Sequence, residues 1–319
     1  ASLFLNRSNK CVYRYMNNEV NVADSGRGLP HSIFKSVRAS LGARIALGIV
    51  SAVPVTLATF AAEAAQVEIN PPAPKLGDTI SVIVTPDNPS NGGNLQVTSN
   101  GKTYPVFPIA PNQYRAFIPT TPLQKSGRKV IRVSGDGTTR NLAVWLKWRR
   151  FPTQRINLPP GKAGVKATQL ELDRVKAFKA LVTPQKFWNG PLLSPSGTRV
   201  STLYGVRRYY NGKFANNYYH RGVDYAGGYG SPVIASAAGR VALVGKVSQG
   251  FKVHGNIVGI DHGQGVTTIY MHLNRINVKE GDMVKPGQLI GGIGSSGAST
   301  GPHLHWGLYV NGQAVDPVP

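Results

Sequence analysis

Between residues 67 and 147 short apolar runs alternate with turn signals, and the runs at 79–85, 95–98, 104–109, 114–118, 129–133 and 141–147 read as strands. Asn100-Gly101 and Asp136-Gly137 supply hairpin turns, because both members of each pair accept positive φ. Short strands at this spacing predict a small β-sandwich of immunoglobulin-like type. The segment holds no histidine, which makes it a spacer or positioning module rather than a catalytic unit. A basic, Pro-rich connector follows from Trp148 to Gly161, and residues 168–182 then show helical spacing. Leu170, Leu172, Val175, Phe178, Leu181 and Val182 form the expected apolar face, and Pro184 ends the run. From residue 200 the strand pattern returns, at 233–236, 240–244, 256–260, 266–272, 288–293 and 303–310, with glycine at nearly every boundary. The expected fold is therefore mainly β, with a sandwich over 66–150, a linker and helical bridge over 151–185 and an antiparallel β domain over 186–319.

Residues 1–65 read as a polar lead and a targeting segment. Lys35, Arg38 and Arg44 precede an apolar run at 45–60, and Ala61-Ala62-Glu63-Ala64-Ala65-Gln66 offers a small-residue cleavage site. The run contains Ser51, Pro54, Thr56 and Thr59 and falls short of the roughly 20 apolar residues of a comfortable span. It is read as an export signal to the periplasm or cell envelope, with an uncleaved membrane anchor as the alternative.

The length of 319 residues, 41% of them hydrophobic, allows one to three compact cores. Lys and Arg number 36 against 14 Asp and Glu, and the net charge of +22 calls for an anionic partner. Nucleic acid, anionic lipid and anionic wall polymer all satisfy charge alone. No nucleic-acid-binding motif is present, so no nucleic acid is expected. The single cysteine, Cys11, rules out an intramolecular disulfide framework and any cysteine-cluster metal site. A bound metal would have to use His, Asp or Glu.

Six of the seven histidines lie beyond residue 219, which places the chemistry in the C-terminal domain. His303-Leu304-His305 falls in a strand-like run, so its two imidazoles share a face. His220 and Asp224 add an imidazole and a carboxylate in a Gly-flanked segment, and His272 ends another strand-like run. Imidazole and carboxylate suit Zn²⁺, whose catalytic sites take three protein ligands and a water. His262 reads as a turn residue and His254 as an exposed hairpin residue, and both are left out of the site. Gly292-Ile-Gly294-Ser-Ser-Gly297 matches a dinucleotide fingerprint, but the Pro302 and His-rich strand that follow forbid the helix it must open.

The series His220-Arg-Gly-Val-Asp224, Gly230-Ser-Pro-Val-Ile-Ala235, Gly255-Asn-Ile-Val-Gly-Ile-Asp-His-Gly263, Tyr270-Met-His-Leu273, Gly281-Asp-Met-Val-Lys-Pro-Gly287 and Ser299-Thr-Gly-Pro-His-Leu-His-Trp306 resembles the lysostaphin-type, or LytM-like, zinc peptidases. The ordered match spans residues 192–317 and leaves the sandwich, bridge and signal uncovered. The resemblance implies that His220, Asp224 and His305 hold one Zn²⁺ and that His272 and His303 form the catalytic pair beside it. It implies an exported metalloendopeptidase that cuts stem or cross-link peptides of peptidoglycan, and the basic charge makes other anionic cell-envelope polymers further partners. The alternative is a silent wall-binding scaffold, or an activator of another wall hydrolase. Gly228 stands where relatives carry proline, which loosens a loop and removes no ligand.

Overall fold

A computed structural model describes residues 66–157 and 165–318. The expected export signal, Cys11 and the connector at 158–164 lie outside the described residues. Among the described residues no helix is long and apolar enough to cross a membrane.

Eight strands come first: β1 (Gln66–Asn70), β2 (Thr79–Thr85), β3 (Gln96–Ser99), β4 (Lys102–Tyr104), β5 (Val106–Ala110), β6 (Gln113–Pro119), β7 (Gly127–Ser134) and β8 (Thr139–Leu146). They form two four-stranded antiparallel sheets, in the orders β1-β2-β6-β5 and β4-β3-β7-β8. Alternation explains how the sheets meet: Ile80, Val82 and Val84 of one and Val97, Ile131 and Val133 of the other are fully buried in a common core. The expected turn at Asn100-Gly101 is present, with φ of 51° and 72° closing the two-residue link between β3 and β4.

The described part of the connector, up to residue 157, contains a strand that its Pro-rich sequence did not suggest. Thr153–Ile156 forms β9, which pairs in parallel with β11 (Arg207–Tyr210), and β12 (Lys213–Phe214) completes a three-stranded sheet. Helix α1 (Gln169–Lys179) starts on the Thr168 cap, whose Oγ1 accepts from the Glu171 N–H at 3.1 Å. Its buried face differs from the expected one. Leu170, Leu172 and Val182 are exposed, whereas Val175, Phe178 and the carboxylate of Glu171 are buried. The Phe178 ring lies so close to Gly259 that a Cβ there would come within 2.6 Å of it. The helix thus docks through two apolar side chains and one acid rather than along a leucine stripe.

The remaining strands are β10 (Arg199–Thr202), β13 (Val223–Ala226), β14 (Pro232–Ile234), β15 (Gly239–Gly245), β16 (Asn256–Gly263), β17 (Val266–Ile276), β18 (Met283–Val284), β19 (Leu289–Ile293), β20 (His303–Val310) and β21 (Gln313–Val315). The main antiparallel sheet runs β10-β13-β20-β17-β16-β15-β18, with β19 and β14 branching from β17 and β21 from β20. Trp306, Tyr225, Tyr270, Phe251 and Leu243 are the bulk of its core. No helix follows Gly292–Gly297, in keeping with the rejection of a dinucleotide loop. The N-terminal sheets touch this domain at the far end of β20: Asn311 Nδ2 donates to the Phe117 carbonyl at 2.8 Å, and Arg115 to Gln264 Oε1 at 3.0 Å. At the strand rise, Asn311 is about 20 Å from His305 along the chain.

His262 is not in a turn but inside β16, fully buried, with Nδ1 2.8 Å from the Ala238 carbonyl and Nε2 2.8 Å from Thr268 Oγ1. Burial pushes its pKa down to about 4 from 6.5. Between those values the unfolded chain takes up a proton that the folded chain refuses. The associated stability is therefore complete above pH 6.5 and is lost as the pH falls toward 4. The loss amounts to about 3 kcal/mol. In denaturant titrations at pH 7 and pH 4, His262→Gln is expected to show a smaller pH-dependent drop than the parent, and equal drops would refute the assignment.

Candidate metal centre

Strand register brings the predicted ligands together. Asp224 on β13 pairs directly with His305 on β20, so their side chains share one face. His220 lies just before β13, where its backbone exchanges hydrogen bonds with Gly205 and Val206. His220 Nε2, Asp224 Oδ1 and His305 Nδ1 lie 2.8–3.0 Å from one another, and all three residues are buried. Two imidazole nitrogens 3.0 Å apart can share at most one proton, so the lone pairs of three donors converge on one point. His220 Nδ1 is 2.9 Å from the Leu203 carbonyl, which fixes the tautomer that leaves Nε2 free to ligate. Two imidazoles and one carboxylate, with no fourth donor joining the group among the described residues, fit a zinc ion with an open position.

The electrostatics agree with a preformed ligand set. Burial alone would raise the Asp224 carboxyl, but hydrogen bonds with His220 and His305 hold it well below the usual carboxylate range. Burial lowers the pKa of His305 to about 4, against the pull of Asp224, so the imidazole is neutral at pH 7. The Arg208 guanidinium, on β11, stands 3.6 Å from the second Asp224 oxygen and also contacts Gln154, Tyr210 and Tyr218. Through Gln154 the connector strand β9 therefore reaches the edge of the centre.

His303 and His272 flank these ligands. Their rings are 4.7 Å apart, and the His272 ring is 6.4 Å from that of His305. Plain alternation would not produce this, because Met271 is the β17 residue registered with His305. His272 adopts φ of 63°, which breaks the alternation and brings its ring to the same side. Each ring is oriented by a carbonyl: His272 Nδ1 is 2.9 Å from that of Ser296, and His303 Nδ1 is 2.9 Å from that of Gly301. Both are thereby held as tautomers whose Nε2 carries the lone pair. Burial first, then the neighbouring His303 and His305, push the His272 pKa down to about 3.

Of the three tyrosines near His220 in sequence, Tyr204 and Tyr219 both donate to the Ala314 carbonyl in the core, and Tyr218 contacts Arg208. His254 is not a free hairpin residue. Its Nδ1 lies 2.6 Å from Glu171, and that carboxylate also accepts the backbone N–H groups of Lys252, Val253 and His254. The His254 carbonyl in turn accepts from the His272 N–H at 3.1 Å. Glu171 thus ties α1 to the loop behind His272. No residue pattern announces this, because Thr168-x-x-Glu171 has the form of an ordinary capping box. Glu171→Gln puts an NH₂ group among backbone donors and is expected to cost about 2–3 kcal/mol in denaturant unfolding. Zinc content should stay at the parental level, and an unchanged unfolding midpoint would contradict this role.

Comparison with known proteins follows the same residues. The family model described as Peptidase family M23 matches residues 218–317. The chain is 42% identical over 122 residues to the DD-carboxypeptidase/endopeptidase Mpg of Neisseria meningitidis serogroup B, covering 38% of this chain and 26% of that protein. It is 44% identical over 105 residues to lysostaphin of Staphylococcus simulans, covering 31% of this chain and 21% of that protein. The chain thus spans about a quarter of the length of the curated relatives it matches. A crystal structure of an M23 family chain from Pseudomonas aeruginosa aligns with a TM-score of 0.57 at 26% identity, over 78% of this chain and 93% of that one.

Proposed function

The chain belongs to peptidase family M23 through its C-terminal domain, and from that premise we propose that it is an exported zinc metalloendopeptidase hydrolysing stem or cross-link peptides of peptidoglycan. The observation that carries the reading is the convergence of three buried donors beside two carbonyl-oriented imidazoles. His220, Asp224 and His305 are the residues that would hold the metal. A zinc ion bound there supplies Lewis acidity to a scissile carbonyl and brings the pKa of a bound water to about 7.

The protein's own groups do the proton handling. The Nε2 atoms of His272 and His303 are the free basic nitrogens beside the ligands. One Nε2 accepts a proton from the attacking water and, now an N–H, hydrogen-bonds the developing oxyanion before passing the proton to the leaving amine, while the other Nε2 accepts a hydrogen bond that orients the water. Two rings 4.7 Å apart resist being charged together, which suits a pair that holds one proton at a time. The mainly exposed, basic surface draws the enzyme to anionic envelope polymer, an attraction that salt weakens.

Cell-envelope location, the export signal and the division at 66–150, 151–185 and 186–319 belong to the same proposal. The strand orders β1-β2-β6-β5 and β4-β3-β7-β8 support an immunoglobulin-like reading of the N-terminal unit, since they correspond to A-B-E-D facing C′-C-F-G.

The test is mass spectrometry of purified, cross-linked peptidoglycan fragments incubated with the full chain, with and without a chelator. Loss of cross-linked species only in the metal-loaded sample is the expected result, and the product masses identify the bond. Intact fragments with zinc bound would overturn the peptidase reading in favour of a silent scaffold.

A further inference from the structure

His272 is held in a backbone conformation that a histidine does not favour. Its φ of 63° lies in the left-handed region, which a non-glycine residue keeps only when its surroundings enforce it. Asn256 pairs with Leu273 and Val258 with Tyr270, so Met271 and His272 together oppose Ile257 alone, and the ladder is bulged at this point. Two loops, at 250–255 and 294–302, enforce the bulge. From the first, the His254 carbonyl accepts from the His272 N–H at 3.1 Å. From the second, the Ser296 carbonyl lies 2.9 Å from His272 Nδ1, and the Ser296 hydroxyl donates to the Leu273 carbonyl at 2.8 Å. The second loop also carries Gly301, whose carbonyl orients His303.

The loops are locked to each other. The Ala298 N–H donates to the Val253 carbonyl at 3.0 Å, and a Cβ on Gly297 would come within 2.5 Å of the Gly255 nitrogen. Backbones packed this closely pass a displacement from one to the other. The loop at 250–255 has a further anchor, which comes from helix α1 rather than from the sheet. The N–H groups of Lys252, Val253 and His254 converge on the Glu171 carboxylate at 2.6–3.0 Å, and Thr168 Oγ1 donates to the Gly250 carbonyl at 3.0 Å. Three successive amides around one carboxylate form an anion nest, filled here by a side chain of the same protein. A fully buried carboxylate is a poor source of stability compared with an apolar residue of similar volume; what its charged hydrogen bonds add is direction. Glu171 lies outside the 218–317 segment matched by the family model, so this anchor is supplied by the bridge and not by the matched segment.

We propose that Glu171 is a positioning residue for His272 and His303. By fixing residues 252–254 it holds the bulge at His272 and, through Val253 and Ala298, the loop whose carbonyls orient both rings. The consequence for turnover rests on the peptidase function proposed above; the restraint on His272 does not. Helix α1 is then a working part of the site and not only a bridge between two β units.

The test uses the zinc-loaded full chain, well below its unfolding midpoint, with two readouts: hydrogen exchange of the His272 amide by NMR, and kcat and KM on a soluble cross-linked fragment. Glu171→Gln keeps the side-chain shape but turns one acceptor into an NH₂ group that faces N–H donors. Exchange at His272 is expected to quicken about tenfold or more, and kcat to fall about ten- to a hundredfold, with KM and zinc affinity at parental values. Thr168→Val keeps the carboxylate and loses only the Gly250 bond and the helix cap, so it tests the anchor even if Glu171→Gln fails to fold. It should show the same two changes at several-fold size. A merely structural tie would lower the unfolding midpoint and leave both readouts alone. Parental exchange at His272 together with parental kcat, in every variant that folds, would therefore overturn the proposal. If the parent cleaves nothing, the peptidase reading fails, and the exchange rates still decide whether Glu171 restrains His272.

Discussion

Asp224→Asn is expected to lower zinc affinity at least about a hundredfold while leaving the fold in place. The substitution keeps the side-chain shape but removes the one anionic donor, whose Oδ1 sits 2.9 Å from His220 Nε2 and 2.8 Å from His305 Nδ1. It also leaves the Arg208 guanidinium, 3.6 Å from the other oxygen, facing a neutral amide in a buried site. Zinc at a hundred times the parental Kd stabilises the parent by about 2.7 kcal/mol, and the same concentration would stabilise a hundredfold weaker variant by only about 0.4 kcal/mol. The difference is read as the zinc-induced shift in Tm, with the affinity itself measured by competition against a chromophoric chelator. A variant that keeps the parental shift would remove Asp224 from the ligand set. Peptide cleavage should fall in step with occupancy, which separates loss of the metal from loss of chemistry.

The sequence made some of this legible and concealed the rest for physical reasons. The long central strands were visible because one face of each packs into a core, and their alternation survives in β2, β7 and β15. The ligand pair Asp224 and His305 belongs to that regular part, where neighbouring strands in register put both on one face. Strand β9 was hidden because none of its four positions is fully buried and its partner β11 is half-buried throughout, so neither segment carries an apolar face that marks a strand. The helix was found but its orientation was not, because Glu171 in the buried face reads as polar and the exposed Leu170 and Leu172 read as apolar. Burial of that acid follows from three loop N–H groups that come from residues 252–254, about eighty positions away. The place of His272 depends on a left-handed backbone at a non-glycine residue, a feature that no residue pattern announces.

The pair beside the ligands should behave as one device. His303→Ala and His272→Ala are each expected to lower kcat by about 10²–10⁴-fold with zinc still bound at parental affinity. Neither ring supplies one of the three converging donors, so removing it spares the metal; each supplies an Nε2 whose opposite nitrogen is fixed on a carbonyl. With His272 pushed down to about 3 by burial and its neighbours, that imidazole stays neutral through the working pH range and offers a lone pair rather than a charge. If one ring takes the proton while the other holds the water in line, the step fails when either is missing. The double variant should then be little slower than the slower single variant, far short of the product of the two losses. Single-turnover rates on a soluble cross-linked fragment, with zinc content measured on the same samples, decide the matter. Independent, multiplicative losses would mean that the two histidines act at separate steps, and a loss of zinc in either variant would make that residue a ligand instead.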